Sequence, residues 1–500
     1  MILSTRSSGV LLHISSLPSP YGIGDFGEGA YLFADRLHAA EQKVWQILPL
    51  TPTDLSTGNS PYSSSSAFAG NTMFISLTLL VNDRLLKPKD LKSAPKFPLD
   101  HVDYKAVHAY KQHIFSLAFE NFLSSEEEKD DYHTFCHSNA GWLDDYALFT
   151  ALKSHFGGKP WFEWSDALRL RQQPALGIAS ANHSRAIERE KFLQYIFAKQ
   201  WSRLREYCSS KNIHLLGDIP IYSSHDSADV WSNPDIFQLT AGSMPTSVAG
   251  VPPDYFSPKG QRWGNPLYKW STLQQSEYRW WKMRLQRNFD LYDAVRIDHF
   301  RGLVAYWDIP AHEKTAINGS WQRVPTLDFL ESLTATFRHF PVIAEDLGTI
   351  TDDVKEVMER FSLPGMKVLQ FAFDDTPNNP YLPHNYPKNC LVYSGTHDNN
   401  TTRGWYSGEA SAKSKHYIKD YLGYTPKEAT IHEDFMKLAL ASVAMIAILP
   451  FQDVLGLGAE ARMNQPSTSK GNWSWRATPA MMKEKNFKLL HKLTSIFGRL

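Results

Sequence analysis

The 500-residue sequence has little cysteine, no excess of either charge and no long apolar run. Its three cysteines, Cys136, Cys208 and Cys390, are odd in number and far apart. That excludes a disulfide framework and a cysteine-based metal cluster, and it fits a reducing compartment. Lysine plus arginine and aspartate plus glutamate balance at 52 each, with no long block of either sign. Nucleic acid and anionic membrane are therefore not expected as partners. The longest internal apolar stretch, around Ala439 to Pro450, is shorter than the roughly 20 residues that span a bilayer. The N-terminal MILSTRSSGVLLHISSLP lacks the basic region and long apolar segment of a secretory signal, so a cytoplasmic location is expected. No G-x-G-x-x-G directly after a strand and no glycine-lysine phosphate loop occurs, and His397 has no second His or Cys at ligand spacing beside it. No cofactor and no metal are expected.

What the chain does have is aromatic content: 15 Trp, 22 Tyr and 28 Phe. Most such rings belong in a core, but a cluster in loops points to sugar stacking. Eight short apolar, beta-rich runs end abruptly in polar residues. They begin at Gly9, Val44, Ile213, Tyr292, Pro341, Met366, Cys390 and Met445. Continuous rather than alternating apolar runs are what a parallel sheet buried on both faces requires. Helical, charged segments separate most of them, which predicts an α/β protein with a (β/α)8 TIM barrel. One barrel domain over residues 1–500 is expected. The gap after the second run predicts an inserted, mostly helical lobe at about 55–180. The gap between the third and fourth predicts an ordered loop or lid region at about 222–290 over the barrel mouth.

In such a barrel the working residues stand at the C-terminal ends of strands. Here those ends carry Asp218, Asp298, Glu345, the pair His397 and Asp398, and Asp453. In AVRIDHF, Arg296 and Asp298 are two apart on one strand and share a face, and the arginine favours the ionised carboxylate that a nucleophile needs. A lone R-x-D is as readily a strand-end salt bridge. In VIAEDLG, Glu345 follows buried apolar residues, a setting that raises a carboxyl pKa and keeps it protonated as a general acid requires. Adjacent Asp346 cannot share its face. His397 beside Asp398 is by itself most simply a hydrogen-bonded pair. Taken together, three carboxylates and an arginine on separate barrel strands form the kit of glycoside chemistry: nucleophile, acid and base, and binder of sugar hydroxyls.

The motifs that fill the chain carry a resemblance. They are GVLLHISSLPSPYGIGDFG from Gly9, WQILPLTPT from Trp45, SPYSSSSAFAGN from Ser60, DSADVWSNP from Asp226 and VAGVPPDYFSPKGQRWGNPLYKW from Val248. FDLYDAVRIDHFRG, VIAEDLG, LPGMKVLQFAF, SGTHDNNTTRGW and GLGAEARMNQPSTSKGNWSWR follow. In this order they resemble the 4-alpha-glucanotransferases, or amylomaltases, of glycoside hydrolase family 77 in the alpha-amylase clan. The resemblance implies that Asp298 is the nucleophile, Glu345 the acid and base, and Asp398 the carboxylate that grips hydroxyls of a distorted sugar. It implies that Arg296, His397 and Asp218 line the catalytic subsite, that Tyr62 lies beneath the reacting glucose, and that His299 and Asn464 also contact substrate. Donors and acceptors would be maltooligosaccharides or other alpha-1,4-glucans and glucose. A hydrolase of the same clan, or a non-catalytic glucan binder, is the alternative.

Within the expected lid, Gly250 to Trp270, Tyr255, Phe256, Trp263 and Tyr268 offer flat surfaces that could stack on glucans and exclude water. One or two of these rings are expected to pack the segment against the barrel instead. The chain departs from the family after Asn464. Pro466, Ser467 and Thr468 stand where the family has Pro-Gly-Thr.

Overall fold

The computed structural model describes all residues except 1, 2, 4, 126–128, 254–256, 375, 469 and 500. Among the described residues, eight short strands pair in parallel. They are β1 (Ser7–Leu11), β2 (Val44–Gln46), β3 (His214–Pro220), β4 (Ala294–Asp298), β5 (Val342–Ala344), β6 (Gly365–Val368), β7 (Cys390–Tyr393) and β8 (Ile446–Pro450). Their order is β6-β7-β8-β1-β2-β3-β4-β5, and a 2.9 Å bond from Ala344 N to Pro364 O joins the two ends into a barrel. Each of the eight apolar runs supplies one strand, because both faces of every strand are covered. Alternation decides which side chain goes where. Ala294 packs in an inner cluster with Leu216, Ile343, Leu391 and Ile446. Val295 and Ile297 belong to the larger cluster shared with the surrounding helices. Arg296 and Asp298 share the face of Ala294 and so point inward.

Register sets the site. β3 and β4 pair Asp218 with Arg296 and Pro220 with Asp298, and β4 and β5 pair Ile297 with Ala344. The carboxylates at the ends of three neighbouring strands are thereby brought to one rim. Gly9 fixes another contact, pairing with Val44 on one side and Ile448 on the other. A Cβ there would come within 2.2 Å of Val44 O, so a larger residue would push β1 and β2 apart.

Between β2 and β3 the chain forms helices, the longest being Tyr104–Leu123, Lys129–His155 and Ser184–Ser210. Tyr104–Leu123 is capped by Asp103, which accepts from Ala106 N at 3.0 Å. It buries Val107, Tyr110, Ile114, Phe115, Ala118 and Phe122, the spacing of one helix face. Ser184–Ser210 packs Trp201, fully buried, against the barrel wall, where its Nε1 donates to Leu291 O. Burial of such a ring, roughly 150–250 Å² at about 25 cal/mol per Å², contributes roughly 4–6 kcal/mol. The same helix pins the loop that carries Tyr62. Gln194 exchanges hydrogen bonds with both backbone groups of Gly70, and Gln200 does so with those of Ser76.

The stretch between β3 and β4, expected as an ordered loop or lid region, contains strands of its own. Ser247–Val251 and Gln261–Pro266 pair antiparallel, and with Ala305–Pro310 and Ser320–Arg323 they form a second, four-stranded sheet. The sequence hid this sheet because two of its strands lie beyond β4 and because Pro and Gly break the alternation of Gln261–Pro266. Two helices, Trp270–Gln275 and Arg279–Leu291, then lead into β4. Among the described residues no helix is long and apolar enough to cross a membrane.

Candidate active site

Arg296 is the hub of the site. Its guanidinium grips Asp218 with Nε at 3.0 Å and a terminal nitrogen at 2.6 Å, and the same terminal nitrogen reaches Asp298 Oδ1 at 2.9 Å. Tyr62 Oη donates to Asp218 at 2.6 Å and lies 3.3 Å from Arg296. A planar fork suits this arrangement better than a point charge, because it feeds several acceptors in one plane. Burial works against a charge here, but the Asp218 and Asp298 carboxylates more than offset it and hold the Arg296 pKa above the ordinary arginine range. The Asp218 side chain is 0 % exposed and that of Asp298 is 32 % exposed. Asp298 is thus the carboxylate of this cluster that a ligand can reach.

Glu345 follows β5 and is fixed by backbone. His299 N donates to one carboxylate oxygen at 2.8 Å and Leu347 N to the other at 2.9 Å. The first of these bonds requires the chain to turn sharply after Asp298, and His299 has φ +54° in the left-handed region. Asp346 faces away toward β6, where Met366 N and Lys367 meet it. Desolvation raises Glu345 from its ordinary value to about 7, more than Arg296 and the two N–H groups lower it. Desolvation likewise pushes Asp298 up, Arg296 pulls it down, and Asp218 and Glu345 push it up again. With one proton between the two carboxyls, it belongs on Glu345. Asp298 has the guanidinium at 2.9 Å and retains solvent contact, both of which favour its charged form.

The third carboxylate, Asp398, follows β7. Asn464 Nδ2 donates to its Oδ1 at 2.6 Å, and His397 Nε2 lies 3.4 Å from the same oxygen. Asn464, expected to contact substrate, is thus engaged with a carboxylate at the site. Arg462 reinforces it, donating to the backbone oxygens of Asp398 and Asn464 and pairing with Glu409 at 2.9 Å. Neither Arg462 nor Glu409 was singled out by the sequence, since no spacing brings residues from two different loops together. His397 is buried, and desolvation lowers its pKa. His299 falls to about 4 for the same reason. Both rings are neutral at pH 7.

Ring packing completes the floor. Tyr62 lies parallel to His397 with centroids 5.1 Å apart. Trp473 packs on both, at 5.8 and 5.9 Å. One small pocket has Tyr62, Asp218, Tyr222 and Asp229 in its wall, and another has His13, His397 and Arg462. Of the lid rings, Trp263 is 38 % exposed and lies perpendicular to the His299 ring, with centroids 4.8 Å apart. Tyr268 is core, 1 % exposed, with its hydroxyl donating to Ile221 O. Tyr255 and Phe256 lie outside the described residues. Asp453 is not at the site. It is 1 % exposed and accepts from Ser394, Thr402 N and Thr402 Oγ1, so it holds the loop after β7 in place. Position at a strand end placed it among the candidates, and the helical turn Phe451–Val454 that begins directly after β8 takes it away.

The family described as 4-alpha-glucanotransferase matches residues 12–482. A 4-alpha-glucanotransferase of Aquifex aeolicus is 44% identical over 99% of both chains, and one of Thermus thermophilus is 44% identical, again over 99% of both. An amylomaltase of Streptococcus agalactiae, solved with acarbose, superposes with a TM-score of 0.95 at 39% identity, covering 99% of each chain. The chain belongs to the 4-alpha-glucanotransferases of glycoside hydrolase family 77.

Proposed function

We propose that the enzyme moves a segment of an alpha-1,4-glucan to the 4-hydroxyl of an acceptor glucan or glucose, with Asp298 as nucleophile and Glu345 as acid and base. In the first half, an Asp298 oxygen bonds to the anomeric carbon as the bond to the departing O4 breaks, and Glu345 gives its proton to that O4. In the second half Glu345 takes the proton of an incoming 4-hydroxyl. The new glycosidic bond forms, Asp298 leaves, and two inversions restore the alpha configuration. Asp398 grips hydroxyls of the donor sugar, steadied by Asn464 and His397. Asp218 and Arg296 line the same subsite, and Tyr62 offers its ring to the sugar face.

The observation that carries this reading is the unlike setting of the two carboxyls. Asp298 is ion-paired to Arg296 and partly exposed, while Glu345 is held by backbone N–H groups and raised to about 7. That is the division between a charged nucleophile and a protonated acid near neutral pH. Transfer rather than hydrolysis is supported by the family and by Trp263, which stands beside His299 where it can shield the intermediate from water. Tyr255 belongs to the same expected lid. The helical insertion at about 55–180 carries the Tyr62 loop in this scheme, and Gln194 and Gln200 of the helix Ser184–Ser210 support that loop from outside it. A cytoplasmic setting is part of the same proposal, supported by cysteines that are free. Maltotriose as sole substrate should give glucose and a ladder of longer maltooligosaccharides with little net gain in reducing ends. Asp298→Asn should abolish the ladder, a loss of at least roughly 10⁴-fold. Reducing ends rising in step with substrate loss, with no product longer than the substrate, would leave hydrolysis as the function.

A further inference from the structure

Trp473 sits in a backbone conformation that a tryptophan rarely adopts. Its φ is +62°, in the left-handed region where a Cβ crowds the following carbonyl. Such a residue persists only where its surroundings over-determine it, and the surroundings here are specific. Its N–H donates to Met463 O at 2.7 Å, and its carbonyl accepts from Tyr104 Oη at 2.7 Å. Tyr104 opens the long helix Tyr104–Leu123 of the insertion between β2 and β3. On either side of that bond the two segments are zipped together. Val102 N donates to Ser474 O and Arg476 N to Asp100 O, each at 2.8 Å, with His101 and Trp475 as an antiparallel bridge. Arg476, 1 % exposed, then reaches Pro98 O and Ser19 O.

The product of this strap is the placement of one ring. Trp473 is 6 % exposed, and it packs on Tyr62 and His397, which come from two different loops and face each other in parallel. Tyr62 bonds Asp218 and touches Arg296, and His397 adjoins Asp398. We infer that Trp473 is a positioning residue, held by the strap between residues 98–104 and 473–476, whose ring sets the Tyr62 and His397 rings against the reacting sugar. The helical insertion is therefore coupled to the chemistry through Tyr104 and Trp473. This inference rests on the transferase reading above, but it fails separately. A wild-type enzyme that made no ladder would overturn that reading, whereas the variants below test only the ring.

The experiment compares Trp473→Gly, Trp473→Phe and Tyr104→Phe with wild type for kcat and KM on maltotriose, per mole of folded enzyme and well below each thermal midpoint. Glycine suits the left-handed backbone while deleting the ring, so it separates loss of positioning from backbone strain. Displacement of binding groups by about 1 Å costs on the order of 100-fold in rate. Trp473→Gly should therefore lose about that much in kcat with KM changed less than about threefold, and Trp473→Phe should recover to within roughly tenfold of wild type. Tyr104→Phe, which removes one hydroxyl remote from the sugar, should lower kcat by about threefold or more. A wild-type kcat in folded Trp473→Gly, or a loss expressed wholly in KM, would overturn the assignment. Should that variant not fold, Trp473→Phe and Tyr104→Phe decide: wild-type kcat in both overturns it.

Discussion

Replacing Arg296 by methionine should destabilise the protein chiefly by stranding Asp218. In the wild type the guanidinium makes two bonds to Asp218, at 3.0 and 2.6 Å, and one to Asp298 at 2.9 Å. Asp298 can turn to water, since 32 % of its side chain is exposed, but Asp218 cannot, since its own is 0 % exposed. Breaking a buried pair by removing one partner costs about 3–5 kcal/mol, or roughly two to nearly four orders of magnitude in the folding equilibrium. Removing the stranded charge as well should offset most of that. Arg296→Met with Asp218→Asn should be more stable than Arg296→Met alone, since a neutral amide still accepts from Tyr62 Oη. Thermal and urea denaturation of wild type, both single variants and the double variant close the cycle. If the two losses add to within about 0.5 kcal/mol, the two residues do not act as a buried pair and the reasoning is refuted.

Four further outcomes follow from the same geometry. Because Glu345 must be protonated for the first half-reaction, kcat/KM for maltotriose should fall as pH rises through about 7, and Glu345→Gln should remove that limb along with roughly 10²–10⁴ of the rate. An alpha-maltosyl fluoride, whose leaving group needs no proton, should form the intermediate in this variant with a far smaller loss, and an equal loss on both substrates would contradict the role. Asn464→Ala frees Asp398 from a 2.6 Å bond and should cost about 10- to 100-fold in kcat/KM, the value of a hydrogen bond to a charged group; an unchanged rate on maltotriose would show the bond to be idle. Trp263→Ala should raise the ratio of hydrolysis to transfer several-fold, read as reducing ends gained per glucose released, and a constant ratio would remove Trp263 from the lid. Ser467→Gly should stabilise the protein by about 1 kcal/mol, because Ser467 sits at φ +64° in a turn closed by Thr468 N to Gln465 O, and an unchanged thermal midpoint would show that this strain is relieved elsewhere.

The barrel was legible in the sequence because a strand buried on both faces has to be continuously apolar, and each of the eight runs is one such strand. Asp298 and Glu345 were legible for the same reason, since a charged residue that ends an apolar run has nowhere to go but the rim. Asp453 obeyed that rule in the sequence and broke it in the structure, because a helix starts directly after β8 and turns the side chain inward onto Ser394 and Thr402. What stayed hidden depends on contacts between distant segments. Gln261–Pro266 finds its sheet only through Ser247–Val251 and Ala305–Pro310, and Arg462 meets Glu409 across two loops. Trp473 carries no periodic signal at all. Its part follows from a left-handed φ and a hydroxyl from Tyr104, neither of which a linear pattern records. The Ser467 departure was visible as a residue change, and the structure supplies its meaning, a serine in a turn position that favours glycine.

The central claim is that Asp298 carries the glucan during transfer, and trapping it tests that claim most directly. Glu345→Gln treated with alpha-maltotriosyl fluoride should complete the first half-reaction, as fluoride leaves without a proton and an Asp298 oxygen bonds to the anomeric carbon. It should then stall for want of a base. Intact-mass measurement should show one maltotriosyl group added per chain, and peptide mapping should place it on Asp298. Adding Asp298→Asn should abolish the adduct. An adduct on another residue, or turnover of the fluoride to longer glucans by the enzyme that also lacks Asp298, would contradict the account.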